Sequence, residues 1–198
     1  MRKNILGALI LVVAGFGVVT VNAQRFDKFQ GTAVIYGSGF NTRTITTTFD
    51  LTLSGRTSDS ETERYHQILR SSGGQQKLAD EIRRNDLGQV QFSGRIGPTV
   101  VAAFEREDGD KTKLLVVFER WMSFGELRSG ARSVDYPFGV IEIFFEPGKK
   151  DGKGTFIGAA KIRLGKNSDT GKDEIELEGF GTFPGKVLGV RQVETRLP

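Results

Sequence analysis

Polar and apolar positions alternate most cleanly between Thr42 and Leu53. Ile45, Thr47, Phe49, Leu51 and Leu53 fall on one face of an extended chain, and Thr44, Thr46, Thr48, Asp50 and Thr52 on the other. This period of two predicts a half-buried strand with one wet face. The apolar run that opens at Gly31 reads as its partner strand, with Gly37-Ser38-Gly39-Phe40-Asn41 as the hairpin connection.

The period changes after the polar residues 55–60. Ser60 and Glu63 have the capping-box spacing, and Tyr65, Ile68 and Leu69 recur at i, i+3 and i+4, which predicts a helix. Ser71-Ser72-Gly73-Gly74 interrupts it, and a second helical segment from Gln75 to Arg84 places Leu78, Ala79 and Ile82 on one stripe. The pair reads as a short helical hairpin or kinked helix whose apolar stripe covers an open face or end of a sheet.

Strand signals return at Leu87. Gln89 to Ser93 alternates, Gly94 to Pro98 reads as a turn, and Thr99 to Glu107, Lys113 to Arg120 and Phe138 to Glu146 are apolar enough to be buried strands. Asp108-Gly109-Asp110-Lys111 has the composition of a tight hairpin turn, and residues 147–154 that of an exposed one. Thr155 to Leu164, Glu174 to Phe183 and Val187 to Glu194 complete the series. The expectation is a mainly β domain, an antiparallel β-sandwich or barrel of about nine strands, with a short helical hairpin inserted after the second strand. A sandwich would offer only its loops to a ligand, whereas a closed barrel would also offer an interior.

The start of the chain follows a different pattern. Arg2 and Lys3 precede an apolar run from Ile5 to Val21, and Val21-Asn22-Ala23 fits a peptidase site, so residues 1–23 read as a signal peptide and residues 24–198 as one β-rich domain. At about 17 residues the run also reaches the lower limit for an uncleaved membrane anchor. The small residues at the cleavage positions favour removal.

Composition then narrows the chemistry. The chain has no cysteine, which excludes disulfides, thiolate metal sites, a Cys nucleophile and an acylated lipoprotein anchor. Export without disulfides points to the bacterial cell envelope, periplasmic or secreted. Removing Arg2 and Lys3 leaves 28 − 2 = 26 basic against 24 acidic residues, a net charge of +2. That near balance argues against a nucleic-acid partner, and a membrane is expected to be met only through the leader.

His66 is the only histidine, and it lies in a predicted helix where an exposed surface position is expected. A His-based triad or a multi-histidine zinc site therefore has no second member. Asn167-Ser168-Asp169-Thr170-Gly171-Lys172-Asp173, with Glu178 at the twelfth place, partly resembles a calcium loop. However, Gly171 falls where a ligand belongs and Lys166 and Lys172 crowd it, so a hairpin turn is the better reading. Gly37-Ser38-Gly39 and Gly148-Lys149-Lys150 lack the spacing of phosphate-binding loops. No cofactor is implied.

The stretch from Glu119 to Phe138 is long and aperiodic, and it contains the single Trp. Trp121 and Tyr136 can offer flat faces, and Arg128, Arg132 and Asp135 supply charge, so these five are the candidate ligand-binding residues. The rival is core closure, with Glu126 and Asp135 pairing the arginines while Trp121, Phe124, Leu127 and Phe138 pack inward. The function expected is an exported, non-enzymatic binding or interaction domain for a glycan, a lipid, an anionic small molecule or another envelope protein. The alternatives are a hydrolase of envelope glycans or esters, using carboxylates drawn from Glu119, Glu126, Glu142, Glu176 and Glu178, or a lipid carrier if the barrel is closed.

Overall fold

The computed structural model describes residues 26–36, 43–120, 135–149, 151–166, 173–179 and 184–193. Nine antiparallel strands form a nearly closed, barrel-like sheet: β1 (Asp27–Ile35), β2 (Ile45–Leu53), β3 (Gly88–Phe92), β4 (Val100–Asp108), β5 (Lys111–Glu119), β6 (Phe138–Phe145), β7 (Gly152–Lys166), β8 (Asp173–Gly179) and β9 (Gly185–Val193). Two helices, α1 (Asp59–Arg70) and α2 (Gly74–Ile82), follow the second strand, as the change of period predicts. The strand order is β3-β2-β1-β9-β7-β6-β5-β4, with β8 paired to the far half of β7. The barrel form is the one realised.

The two ends of this order meet along a thinly bonded seam. Leu87 N–H donates to Val100 O at 2.9 Å and Val90 N–H to Pro98 O at 3.2 Å. Thr57 and Ala103 exchange two bonds, with Thr57 N–H donating to Ala103 O at 2.7 Å and Ala103 N–H donating to Thr57 Oγ1 at 3.0 Å. At one end of the barrel Arg56 is clamped between Glu105 at 2.8 Å and Asp27 at 3.1 Å, which ties β1, β2 and β4 together.

Burial explains the two kinds of strand pattern. Phe49, Leu51 and Leu53 point inward from β2 while Thr46 and Thr48 stay in water. By contrast β4, β5 and β6 are buried on both faces. Val100, Ala103, Leu114, Val116, Ile141 and Ile143 fill the interior, and Val101, Phe104, Leu115, Val117, Phe138 and Val140 lie under the helices. Rings also cross the lumen. Phe92 of β3 meets Phe156 of β7 at 5.2 Å, and Phe156 stacks on Phe118 of β5 at 6.2 Å. A barrel of this strand number is just wide enough for side chains to fill, and here they do so among the described strands.

The helical hairpin forms the second layer. Its cap is Ser58 with Glu61, two residues before the expected Ser60 with Glu63. Both pairs have the right spacing. The Thr57–Ala103 bonds select the earlier one by fixing the chain to β4 immediately before the first turn. Between the helices Gly73 takes φ +70, and a side chain on Gly74 would collide with the Ile68 and Leu69 carbonyls. Tyr65, Leu78, Ala79 and Ile82 then pack against the outer face of the sheet.

Gln75 fastens this layer. β6 begins opposite Ala160, so β7 has no sheet partner on that edge at Ile162 among the described residues. The Gln75 amide takes that place, with Nε2 donating to Ile162 O and Oε1 accepting from Ile162 N–H at 3.2 Å. Arg70 pairs with Asp173 of β8 alongside. Replacing Gln75 by Ala leaves a buried donor and acceptor unpaired and should lower stability by about 1–3 kcal/mol in urea unfolding. Gln75→Glu, which sets a carboxylate against the Ile162 carbonyl, should be at least as harmful. A fully stable Gln75→Ala protein would show that the edge cap contributes nothing.

Candidate functional site

Of the five candidate residues, Trp121, Arg128 and Arg132 lie outside the described residues, as does Glu126. Asp135 and Tyr136 are described, and they sit together where the chain re-enters the barrel. Tyr136 is buried, its OH donates to Glu178 Oε1 at 2.5 Å, and Lys161 Nζ lies 4.4 Å from the centre of its ring. Asp135 is exposed and stands 3.9 Å from Lys161 Nζ. The Tyr136 hydroxyl, followed by the Arg163 and Lys161 charges, holds the Glu178 carboxyl below its ordinary range.

Three of the five carboxylates considered for a hydrolase are tied to cations. Glu119 accepts from Arg83 Nε at 3.0 Å, Glu142 pairs with Lys113 Nζ at 2.6 Å, and Glu178 also pairs with Arg163. The displaced carboxyls, Glu61, Glu146, Asp151, Asp173 and Glu178, all move downward. A general acid needs the opposite shift. The calcium-loop residues 167–172 lie outside the described residues, and β7 and β8 on either side of them pair up to Lys166↔Asp173. Asp173 is held by Arg70 and Lys166, and Glu178 lies five residues further along the strand, roughly 16 Å away. No cluster of three or more metal-ligating side chains occurs among the described residues.

The larger described cleft lies elsewhere. It has a volume of about 870 Å³ and opens at the end of the barrel opposite the Arg56 clamp, between the end of α2, the β3–β4 connection and the end of β5. Ile96, Pro98, Val101 and Phe118 supply apolar surface, and Arg83, Arg84 and Arg120 supply positive charge, with Asp86 and Glu119 beside them. The local fold fixes its walls. Asn85 Nδ2 donates to Tyr65 OH at 3.0 Å and to Val101 O at 3.1 Å, which pins the chain after α2 onto β4 and α1. Phe118 can turn toward the interior because Gly139 opposite it has no side chain.

The charges in this cleft are not equivalent. A helix C-terminus favours nearby cations, and Arg83, at the end of α2, is already engaged by Glu119 and by Asp80 at 3.7 Å. Arg84, which is exposed, is the guanidinium group best placed for a ligand. Sequence reasoning missed this site because its parts come from a helix end, a turn and a strand end, none unusual alone. A smaller cleft of about 390 Å³ at the other end of the barrel is lined by the Arg56 clamp and Lys149.

His66 corrects an expectation. It is buried in α1 and not on the helix surface, with Nδ1 4.0 Å from Glu63 and Nε2 without a hydrogen-bond partner. Burial, then the Arg106 charge, push its pKa below the ordinary 6.5, with Arg70 adding to the effect and Glu63 and Asp173 opposing it. The folded protein therefore binds this proton less readily than the unfolded chain does. The stabilising contribution is complete above pH 6.5 and declines as the pH falls through and below that value. Glu146 and Asp173, at about 2, titrate far below this interval. The urea midpoint should thus fall between about pH 7 and pH 5, and His66→Gln should flatten the fall. A wild-type midpoint constant over this interval would contradict the buried neutral imidazole.

Compared with protein-family models, curated proteins and solved structures, the chain matches none of them. Its function has to be read from its own geometry.

Proposed function

We propose that the chain is an exported, non-enzymatic binding domain of the bacterial cell envelope, and that its site is the cleft between α2, the β3–β4 connection and the end of β5. The observation that carries this reading is the joining of an apolar wall to guanidinium groups in one concavity. Such a surface suits a ligand with an apolar body and one anionic group, since forked donors pair well with carboxylate, sulfonate or phosphate. Export rests on the leader-like residues 1–23, which lie outside the described residues. No helix among the described residues is long and apolar enough to cross a membrane.

The other readings have less support. Rings crossing the lumen occupy the space an apolar cargo would need, and the carboxyls Glu61, Glu146, Asp151, Asp173 and Glu178 are displaced downward, away from what a general acid requires.

The test uses 1-anilinonaphthalene-8-sulfonate, an aromatic sulfonate that fluoresces in apolar surroundings. Saturable binding by the folded protein is expected, and Arg84→Glu should weaken it about tenfold, or about 1.4 kcal/mol. Lys153→Glu makes the same charge change away from the cleft and should not weaken it. Absence of saturable binding, or equal losses in the two variants, would overturn the assignment.

A further inference from the structure

Ile96 is 86 % exposed, far more than any other large apolar side chain among the described residues. It stands in the β3–β4 connection, and this segment is tightly built. Ser93 N–H donates to Thr48 O and Arg95 N–H to Phe92 O, both at 3.1 Å, while Gln89 Nε2 donates to Gly97 O and Val90 N–H to Pro98 O, both at 3.2 Å. Gly97 sits so close to the Val90 carbonyl that a side chain there would collide with it. The backbone on both sides of Ile96 is therefore anchored to the barrel, and the residue is held outward in water.

Its surroundings are basic. Arg95 is exposed next to it, and Arg83, Arg84 and Arg120 line the adjoining cleft wall, against Asp86, Glu119 and the Asp80 that pairs with Arg83. Four arginines against three acids leave a small local excess of positive charge around a projecting apolar side chain, carried by the exposed Arg84 and Arg95. Interfacial attachment to anionic lipid uses this combination, with an aliphatic group entering the boundary between headgroups and acyl chains while guanidinium groups face the phosphates. A protein partner would call for a wider apolar patch than one isoleucine supplies.

We propose that Ile96, together with Arg95 and Arg84, docks this end of the barrel on an anionic bilayer. This goes beyond the cleft assignment and beyond contact through the leader alone. A single inserted side chain with a few arginines makes the attachment weak, reversible and salt-sensitive. The cleft would then open toward the lipid surface.

The experiment is co-sedimentation of residues 24–198 with phosphatidylcholine vesicles, with and without phosphatidylglycerol, at low and high salt. Binding is expected only with phosphatidylglycerol and only at low salt. Ile96→Asp and Arg95→Glu should each reduce it by on the order of tenfold, and the emission of an Ile96→Trp protein should shift to the blue on those vesicles. Absence of binding to the anionic vesicles, or binding unchanged by both substitutions, would overturn the proposal. Arg95 does not line the cleft, so Arg95→Glu should still bind 1-anilinonaphthalene-8-sulfonate like the wild type. The two proposals can therefore fail separately.

Discussion

The structure depends on the burial of β4, β5 and β6 on both faces. A strand in a small barrel normally hides one face and wets the other, as β2 does with its threonines. Here the outward Val101, Phe104, Leu115, Val117, Phe138 and Val140 are also apolar, so half of the barrel wall cannot face water. Only a second layer satisfies that constraint. The Ser58 cap, the Gly73-Gly74 break, the Gln75 edge cap and the Arg70–Asp173 pair all position the helical hairpin over this wall. The burial of His66 follows from the same docking, since α1 cannot cover the sheet while keeping that side of the helix exposed.

The seam between β3 and β4 arises from the same asymmetry. The covered half of the wall ends at β4, and the exposed half begins at β3, so the two halves meet through short connections and not through a full ladder. One end of the barrel beside the seam is drawn together by Arg56 between Asp27 and Glu105. No comparable clamp spans the other end among the described residues. There the inner cluster surfaces at Phe118 and the outer one at Val101, side by side. A cleft forms where the two layers diverge, and its chemistry is set by the residues that happen to end α2 and β5.

Much of this was legible in the sequence, and the failures have physical causes. The period-two pattern of β2, the continuous apolar runs of β4 to β6 and the i, i+3, i+4 stripes of the helices each reflect burial of one or both faces, which a linear pattern records. The glycine-rich start of β7 hid part of that strand, because Gly152 and Gly154 carry no side chain to show a period. His66 could not be placed from Tyr65, Ile68 and Leu69, because the stripe they define leaves its edge undetermined until Arg106 and Asp173 approach from other strands. The cleft was illegible for a related reason. Arg84, Ile96 and Phe118 are brought together only by the closing of the seam, and each alone is an ordinary helix end, turn or strand residue.

The connection from Glu119 to Phe138 set a recognition reading against core closure, and its two described ends lie in different settings. At the far end, Tyr136 is enclosed, its hydroxyl is committed to Glu178, and one face of its ring is covered by Lys161. A ring in that setting joins the connection to the β7–β8 ribbon and has little face left for a ligand. At the near end, Arg120 N–H donates to Pro137 O at 3.0 Å, closing the base of the connection, while its side chain borders the cleft. The base of the loop is therefore fixed as architecture, and that fixation sets the backbone from which the Arg120 side chain reaches the cleft wall. On the proposed reading site and scaffold are not opposed at this point, because a guanidinium can select an anion only if the backbone that carries it does not move when the ligand arrives.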